Sequence, residues 1–320
     1  MSKTRRNFNG EKDLSRKAAS FRMAMEVVKS KNEETMQKSA QAIRLLADFA
    51  KEEYGLKNLA KLDSEQMSDF ANYIQERLDN NEISAGHATN IISSLNTIFT
   101  YYYRTDLNIS AKEYGLNRGS RFDNVDKSIT DYTHQKLSEF LTDKYLSTGD
   151  IKYEALRIQT ELQRQLGLRF KESALFTGKE LHKNGTIDIL RGTKGGQLRT
   201  LRAFEKQKEL INSVRAFRKE FRLNNSLIPD NYRYKDWKAF SYNVIRNFRE
   251  ETGIKYNFHG ERHHYAQTRY IELTGHEPPV KRDAFEENPV KKEKDLEVRL
   301  QISEELGHHR VDITSYYLGK

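Results

Sequence analysis

Leu306-Gly307-His308-His309-Arg310-Val311-Asp312-Ile313-Thr314-Ser315-Tyr316-Tyr317 sets a Gly-His step nine residues ahead of a tyrosine. Imidazoles, a guanidinium and two phenols gather in this one segment. A phenol with an ordinary pKa near ~10 is a poor nucleophile until a neighbour takes its proton. Chemistry at Tyr317 therefore needs basic and cationic partners from elsewhere in the chain.

At 320 residues the chain has room for two domains with separate cores. Lys and Arg number 55 against 46 Asp and Glu, a net charge of +9 that favours a polyanionic partner, although a solvated basic surface has the same balance. The absence of cysteine removes disulfides, thiolate nucleophiles and cysteine-built zinc sites, and fits a reducing cytosol. No apolar run follows Met1, and no window reaches the ~18 apolar residues of a membrane span, so a soluble cytoplasmic protein without a membrane partner is expected.

Residues 1–20 carry Lys3, Arg5, Arg6, Lys12, Arg16 and Lys17 among small polar residues and read either as a frayed terminus or as a basic arm for phosphates. Residues 21–108 read as helices. Ala42, Ile43, Leu46, Phe49 and Ala50 share one face, with Gly55 as a stop. Asp63 stands three residues before Gln66 like a capping box, ahead of the stripe Met67, Phe70, Ala71, Ile74 and Leu78. A third stripe runs Ile91, Ile92, Leu95, Ile98, Phe99 and Tyr102, and together the segments predict a small helical bundle. Residues 109–130, with Gly115, Asn117, Arg118, Gly119 and Arg121, read as a connector.

Residues 131–320 have a different texture. Helical periods lead to Gly167-Leu168-Arg169-Phe170-Lys171-Glu172. The β-branched run Thr186–Leu190 and the stretch Leu198–Phe204 flank a glycine-bearing connection that contains Lys194, the pattern of a hairpin. Further helices reach Phe258-His259-Gly260-Glu261-Arg262-His263-His264, where His259 and Arg262, three apart, share a helix face. Three of the four prolines fall between 275 and 295, which predicts a surface loop. The expected fold is mainly α with a small antiparallel β-sheet, an α+β class.

Taken together, Gly-Leu-Arg, the Thr-Lys-Gly-Gly hairpin, His-x-x-Arg-His and Gly-His…Tyr, in this order, resemble the motifs of the tyrosine recombinases, the phage-integrase family. That resemblance covers residues 130 to 320. It implies a helical core-binding, DNA-binding domain at 21–108 and a catalytic domain at 131–320. Tyr317 is then the nucleophile that forms a 3′-phosphotyrosine link, and Arg169 and Arg262 grip the phosphate. His259 is the candidate general base, His308 a phosphate hydrogen-bond donor, and Lys194 the acid for the leaving 5′ oxygen. The bond energy is kept in the link, so neither a cofactor nor a metal is expected. The implied partners are double-stranded DNA attachment sites, three further copies in a homotetramer, and accessory DNA-bending or directionality proteins. Only three residues follow Tyr317, where many relatives extend a docking tail; either the protomers join differently or the chain is truncated.

Three other functions fit parts of the pattern. A type IB topoisomerase shares the Arg, Lys and Tyr chemistry without pairing sites. A non-catalytic DNA-binding protein needs only the basic surface. A metallohydrolase would use His259 and His263 as ligands, but Glu261 does not directly follow the first histidine as the metalloprotease pattern requires.

Overall fold

The computed structural model describes residues 33–56, 58–116, 124–193, 196–283 and 289–320. The arm at 1–20, Lys194 in the hairpin connection, and parts of the connector and of the proline-bearing loop lie outside the described residues. The chain divides into two compact units, Met1–Arg121 and Phe122–Lys320.

The first unit is built on α1 (Glu33–Tyr54), α2 (Ser64–Asp79) and α3 (Ala85–Tyr101). The capping box forms as its spacing predicts, with Asp63 accepting from the Gln66 amide at 2.9 Å and the Gln66 side chain accepting from the Asp63 amide at 3.3 Å. The three apolar stripes meet in one core, including Ile43, Leu46, Phe70, Ile74, Leu95 and Phe99. Tyr102 belongs to that core, whereas Tyr101 and Tyr103 are exposed. Ile109 and Leu116, expected within the connector, are buried in it as well. The cause is polar: the Asn96 side chain donates to the Ile109 carbonyl at 2.8 Å and accepts from its amide at 3.0 Å, and Thr89 Oγ1 donates to the Leu116 carbonyl. A stretch without apolar period is drawn into the core because these backbone groups are satisfied by side chains.

The second unit contains α4 (Asp131–Thr148), α5 (Ile151–Leu166), α6 (Phe170–Ala174), β1 (Thr186–Ile189), β2 (Arg199–Arg202), α7 (Glu205–Glu220), α8 (Tyr234–Thr252), α9 (Phe258–Thr274), α10 (Lys292–Glu305) and α11 (Ser315–Leu318). Strands β1 and β2 pair antiparallel, Ile187 opposite Leu201, with Ile187, Ile189 and Leu201 turned into the core. That core also holds Leu156, Leu162, Leu166, Trp237 and Phe248, and the Trp237 indole donates to Gln159 Oε1 at 2.8 Å. A second cluster, Tyr265, Ala266, Tyr270, Val298, Ile302, Leu306, Tyr317 and Leu318, binds the carboxyl end onto α9 and α10. Helix α10 begins at Lys292, with Glu293 and Asp295 complementing the dipole of its first turn. Among the described residues no helix is long and apolar enough to cross a membrane.

Gly167 ends α5 in the left-handed region at φ +59°, and a Cβ there would lie 2.5 Å from the Tyr265 ring. Gly167→Ala therefore adds backbone strain to overpacking and is expected to cost about 2–3 kcal/mol. Urea unfolding of the variant checks this; an unchanged midpoint would refute the close approach.

Candidate active site

Short helix ends place most of the singled-out side chains. The turn at Gly167 brings Arg169 to the start of α6, where Glu172 accepts from the Arg169 amide and guanidinium, both at 2.7 Å. Asn257 caps α9 by accepting from the Gly260 amide at 2.7 Å, which sets His259 and Arg262 on its first turns. Helix α10 ends in a Schellman motif: Gly307, at φ +67°, donates to the Glu304 carbonyl and His308 to the Ser303 carbonyl, at 2.8 and 2.9 Å. His308 is aimed by that turn.

These elements converge on Arg262, which is 1% exposed. Its guanidinium donates to the carbonyls of Gly167 and Leu306, and through Nε to Tyr317 Oη at 3.3 Å. His308 Nε2 lies 3.3 Å from Arg262 Nη2 and 3.2 Å from Tyr317 Oη. Arg169 Nη2 reaches the same Leu306 carbonyl at 3.3 Å. Arg169, Arg262, His308 and Tyr317 are thus joined in one network, although they are spread over nearly 150 residues of sequence. His259 is beside it rather than in it, with its ring 5.8 Å from the Tyr317 ring and its surface exposed. Lys194 is outside the described residues. Tyr317 is buried and Tyr316 exposed, so the two adjacent phenols occupy opposite environments.

Three further residues adjoin this network: Arg199 and Lys127 are not singled out by motif spacing, and His263 is named there only as the last residue of His-x-x-Arg-His and as a metal-ligand candidate. Arg199 on β2 is buried and donates through both terminal nitrogens to Glu172, at 2.9 and 2.7 Å, making that carboxylate the shared partner of Arg199 and Arg169. Strand alternation puts Arg199 on the face of Leu201, a signal present in the sequence. His263 is buried, its ring 4.8 Å from that of Tyr317, and neither ring nitrogen meets a hydrogen-bond partner among the described residues. Lys127 stands 5.0 Å above the Tyr316 ring.

The electrostatics follow from burial among cations. Burial alone would raise the Glu172 pKa, but its bonds to Arg199 and the charges of Arg262 and Arg169 hold it near about 2. Burial, then the charges of Arg262, Arg169 and Arg199, push His308 down to about 3. His259 is lowered to about 4 by desolvation on its protein side and by the charges of Arg262, Arg169 and Lys127. Arg262 is lowered to about 10 by burial and stays cationic at neutral pH. The site is therefore a positive cradle with neutral imidazoles, suited to an anionic oxygen and able to accept a proton. On the far side of α9, Glu261 is fully buried between His134 Nδ1 at 2.7 Å and Arg164 Nη1 at 2.6 Å.

Residues 125–268 match the family model described as integrase. The fold is similar to that of XerH site-specific recombinase in a post-cleavage complex with a palindromic difH substrate, at TM-score 0.62 and 15% identity, covering 94% of this chain and 80% of that one. The pre-cleavage XerH complex with difH gives TM-score 0.57 at 15% identity, covering 93% and 81%. The Tn1549 transposon integrase in complex with transposon right end DNA gives 0.55 at 13%, covering 93% and 94%. No curated protein matches the sequence.

The histidines make a pH prediction. Burial opposes charge on His134, but the hydrogen bonds it donates to Glu161 and Glu261 outweigh it and raise its pKa to about 9. Its stabilising contribution is complete below the ordinary ~6.5 and is lost as pH rises through about 9. His263 and His308, lowered to about 3, and His264, lowered to about 4, act oppositely, withdrawing stability as pH falls below ~6.5. Ring NMR at pH 7 should show His134 doubly protonated and the other three neutral, and a His134 titrating near its ordinary value would refute the Glu161–His134–Glu261 bridge.

Proposed function

We propose, from the match of residues 125–268 to the integrase family model, that this chain is a tyrosine recombinase that cleaves and rejoins double-stranded DNA with Tyr317 as the nucleophile. One observation carries the assignment: Tyr317 Oη sits 3.3 Å from Arg262 Nε and 3.2 Å from His308 Nε2, a phenol held between a phosphate-binding cation and a proton acceptor.

In the proposed reaction the Tyr317 oxygen attacks phosphorus and the 5′ oxygen leaves, so one phosphoester replaces another and no external energy source is consumed. Arg169 and Arg262 neutralise the non-bridging oxygens as charge builds in the transition state. The distances favour exchanging the two histidine roles expected from sequence. His308, neutral and on the phenol, takes its proton, while His259 at the exposed edge donates to a phosphate oxygen. An incoming phosphate raises the pKa of both imidazoles, since a neighbouring anion favours their charged form. Lys194 is assigned the proton for the leaving oxygen. Reversal of the same steps with a second strand rejoins the DNA, and pairing of attachment sites by a homotetramer, aided by accessory proteins, makes the outcome integration or excision of a mobile element.

The test is a denaturing gel of the protein with nicked duplex from a candidate attachment site, in EDTA. Wild type and Tyr316→Phe should form a covalent protein–DNA band, and Tyr317→Phe none. Arg262→Ala should slow its formation by about 10²–10³-fold. Arg262→Lys should do little better, because an ammonium cannot span the Gly167 and Leu306 carbonyls and the phenol together. A band that persists in Tyr317→Phe would overturn the assignment.

A further inference from the structure

The segment before α4 lies across the start of α9 and is fixed there from several sides. The Ile129 amide donates to the Gly260 carbonyl at 3.2 Å, and Arg164 Nη1 donates to the Ile129 carbonyl at 3.2 Å. Asp126 accepts from Gln267 Nε2 at 2.8 Å and from the Ser128 amide at 2.8 Å. Gly260 is required beneath it: a Cβ would lie 2.7 Å from Ile129 Cγ1 and 2.9 Å from the Lys127 carbonyl. Lys127 is therefore carried on a strap with little freedom, between two anchored residues. Its ammonium is 5.0 Å above the Tyr316 ring, and that ring is 5.9 Å from His259 and 5.1 Å from His263.

We propose that Lys127 is a positioning residue that binds a DNA phosphate next to the scissile one on the cleaved strand. This rests on Tyr317 attacking a DNA phosphate. The geometry argues for a neighbouring phosphate rather than the scissile one, because the ammonium sits over the ring of Tyr316, 5.5 Å from the Tyr317 ring, and not over the nucleophile itself. An ammonium is a point charge on a flexible stem, suited to backbone phosphates without reading sequence. The Tyr316 ring holds that charge at the mouth of the site before DNA arrives.

The test measures covalent-complex formation by the full chain on nicked duplex, with single methylphosphonates replacing each phosphate flanking the cleavage point. Lys127→Ala and Lys127→Met should raise the half-saturating DNA concentration about tenfold with the maximal rate within about twofold, since the contact is equal in ground and transition states. The slope of log affinity against log salt should fall by about 0.9. Lys127→Arg should restore both. One flanking methylphosphonate should cost wild type the same factor and cost Lys127→Ala nothing. Equal sensitivity of wild type and Lys127→Ala to every methylphosphonate, or an unchanged half-saturating concentration, would overturn the proposal while leaving the Tyr317 chemistry standing. Absence of a wild-type covalent band on any attachment DNA would instead overturn the strand-cleavage reading and this proposal with it.

Discussion

A buried guanidinium is the constraint around which the second unit is arranged. Arg262 is removed from water almost completely, and an unpaired buried charge would be prohibitive. Its donors are met by the carbonyls at the end of α5 and the end of α10, and by the phenol of Tyr317. Satisfying one side chain thus fixes three separate pieces of chain against each other. The Gly167 turn, the Schellman ending at Gly307 and the burial of α11 all serve that meeting, and each is local backbone chemistry with a consequence for the site.

Two buried carboxylates complete the frame. Glu172 ties β2 to α6 through Arg199 and Arg169, and Glu261 ties α9 to α4 and α5 through His134 and Arg164. Removing either partner would leave an uncompensated charge, so these pairs specify one arrangement more than they add net stability. Both carboxylates are engaged by these partners and not by His259 or His308. That separation leaves a positive face in which histidines stay neutral, the condition under which one of them can accept a proton from a phenol.

The helical periods of the first unit were legible because each stripe is a local pattern facing a single core, and the Asp63–Gln66 box needs only neighbouring residues. The packing of Ile109 and Leu116 was not legible, since it depends on Asn96 and Thr89 reaching across from α3. In the second unit the hairpin was legible from β-branched alternation. The inward role of Arg199 is signalled only by strand alternation, because an arginine in a two-stranded sheet reads as solvated unless its partner, Glu172, is known to lie beneath it.

Sequence by itself determined the residue types of the site and their order, because the Gly-Leu-Arg, His-x-x-Arg and Gly-His…Tyr spacings are set by single turns of helix and by one Schellman ending. The register of the recombinase resemblance, nine residues after His308, also marked Tyr317 rather than Tyr316 as the expected nucleophile. Only the tertiary structure decided which histidine meets the phenol, that Arg199 and Lys127 stand beside the cluster, and that one tyrosine is buried while the other is exposed. The physical reason is range: spacing along a helix constrains neighbours three or four residues apart, whereas these contacts join side chains brought together by packing of separate elements around one buried charge.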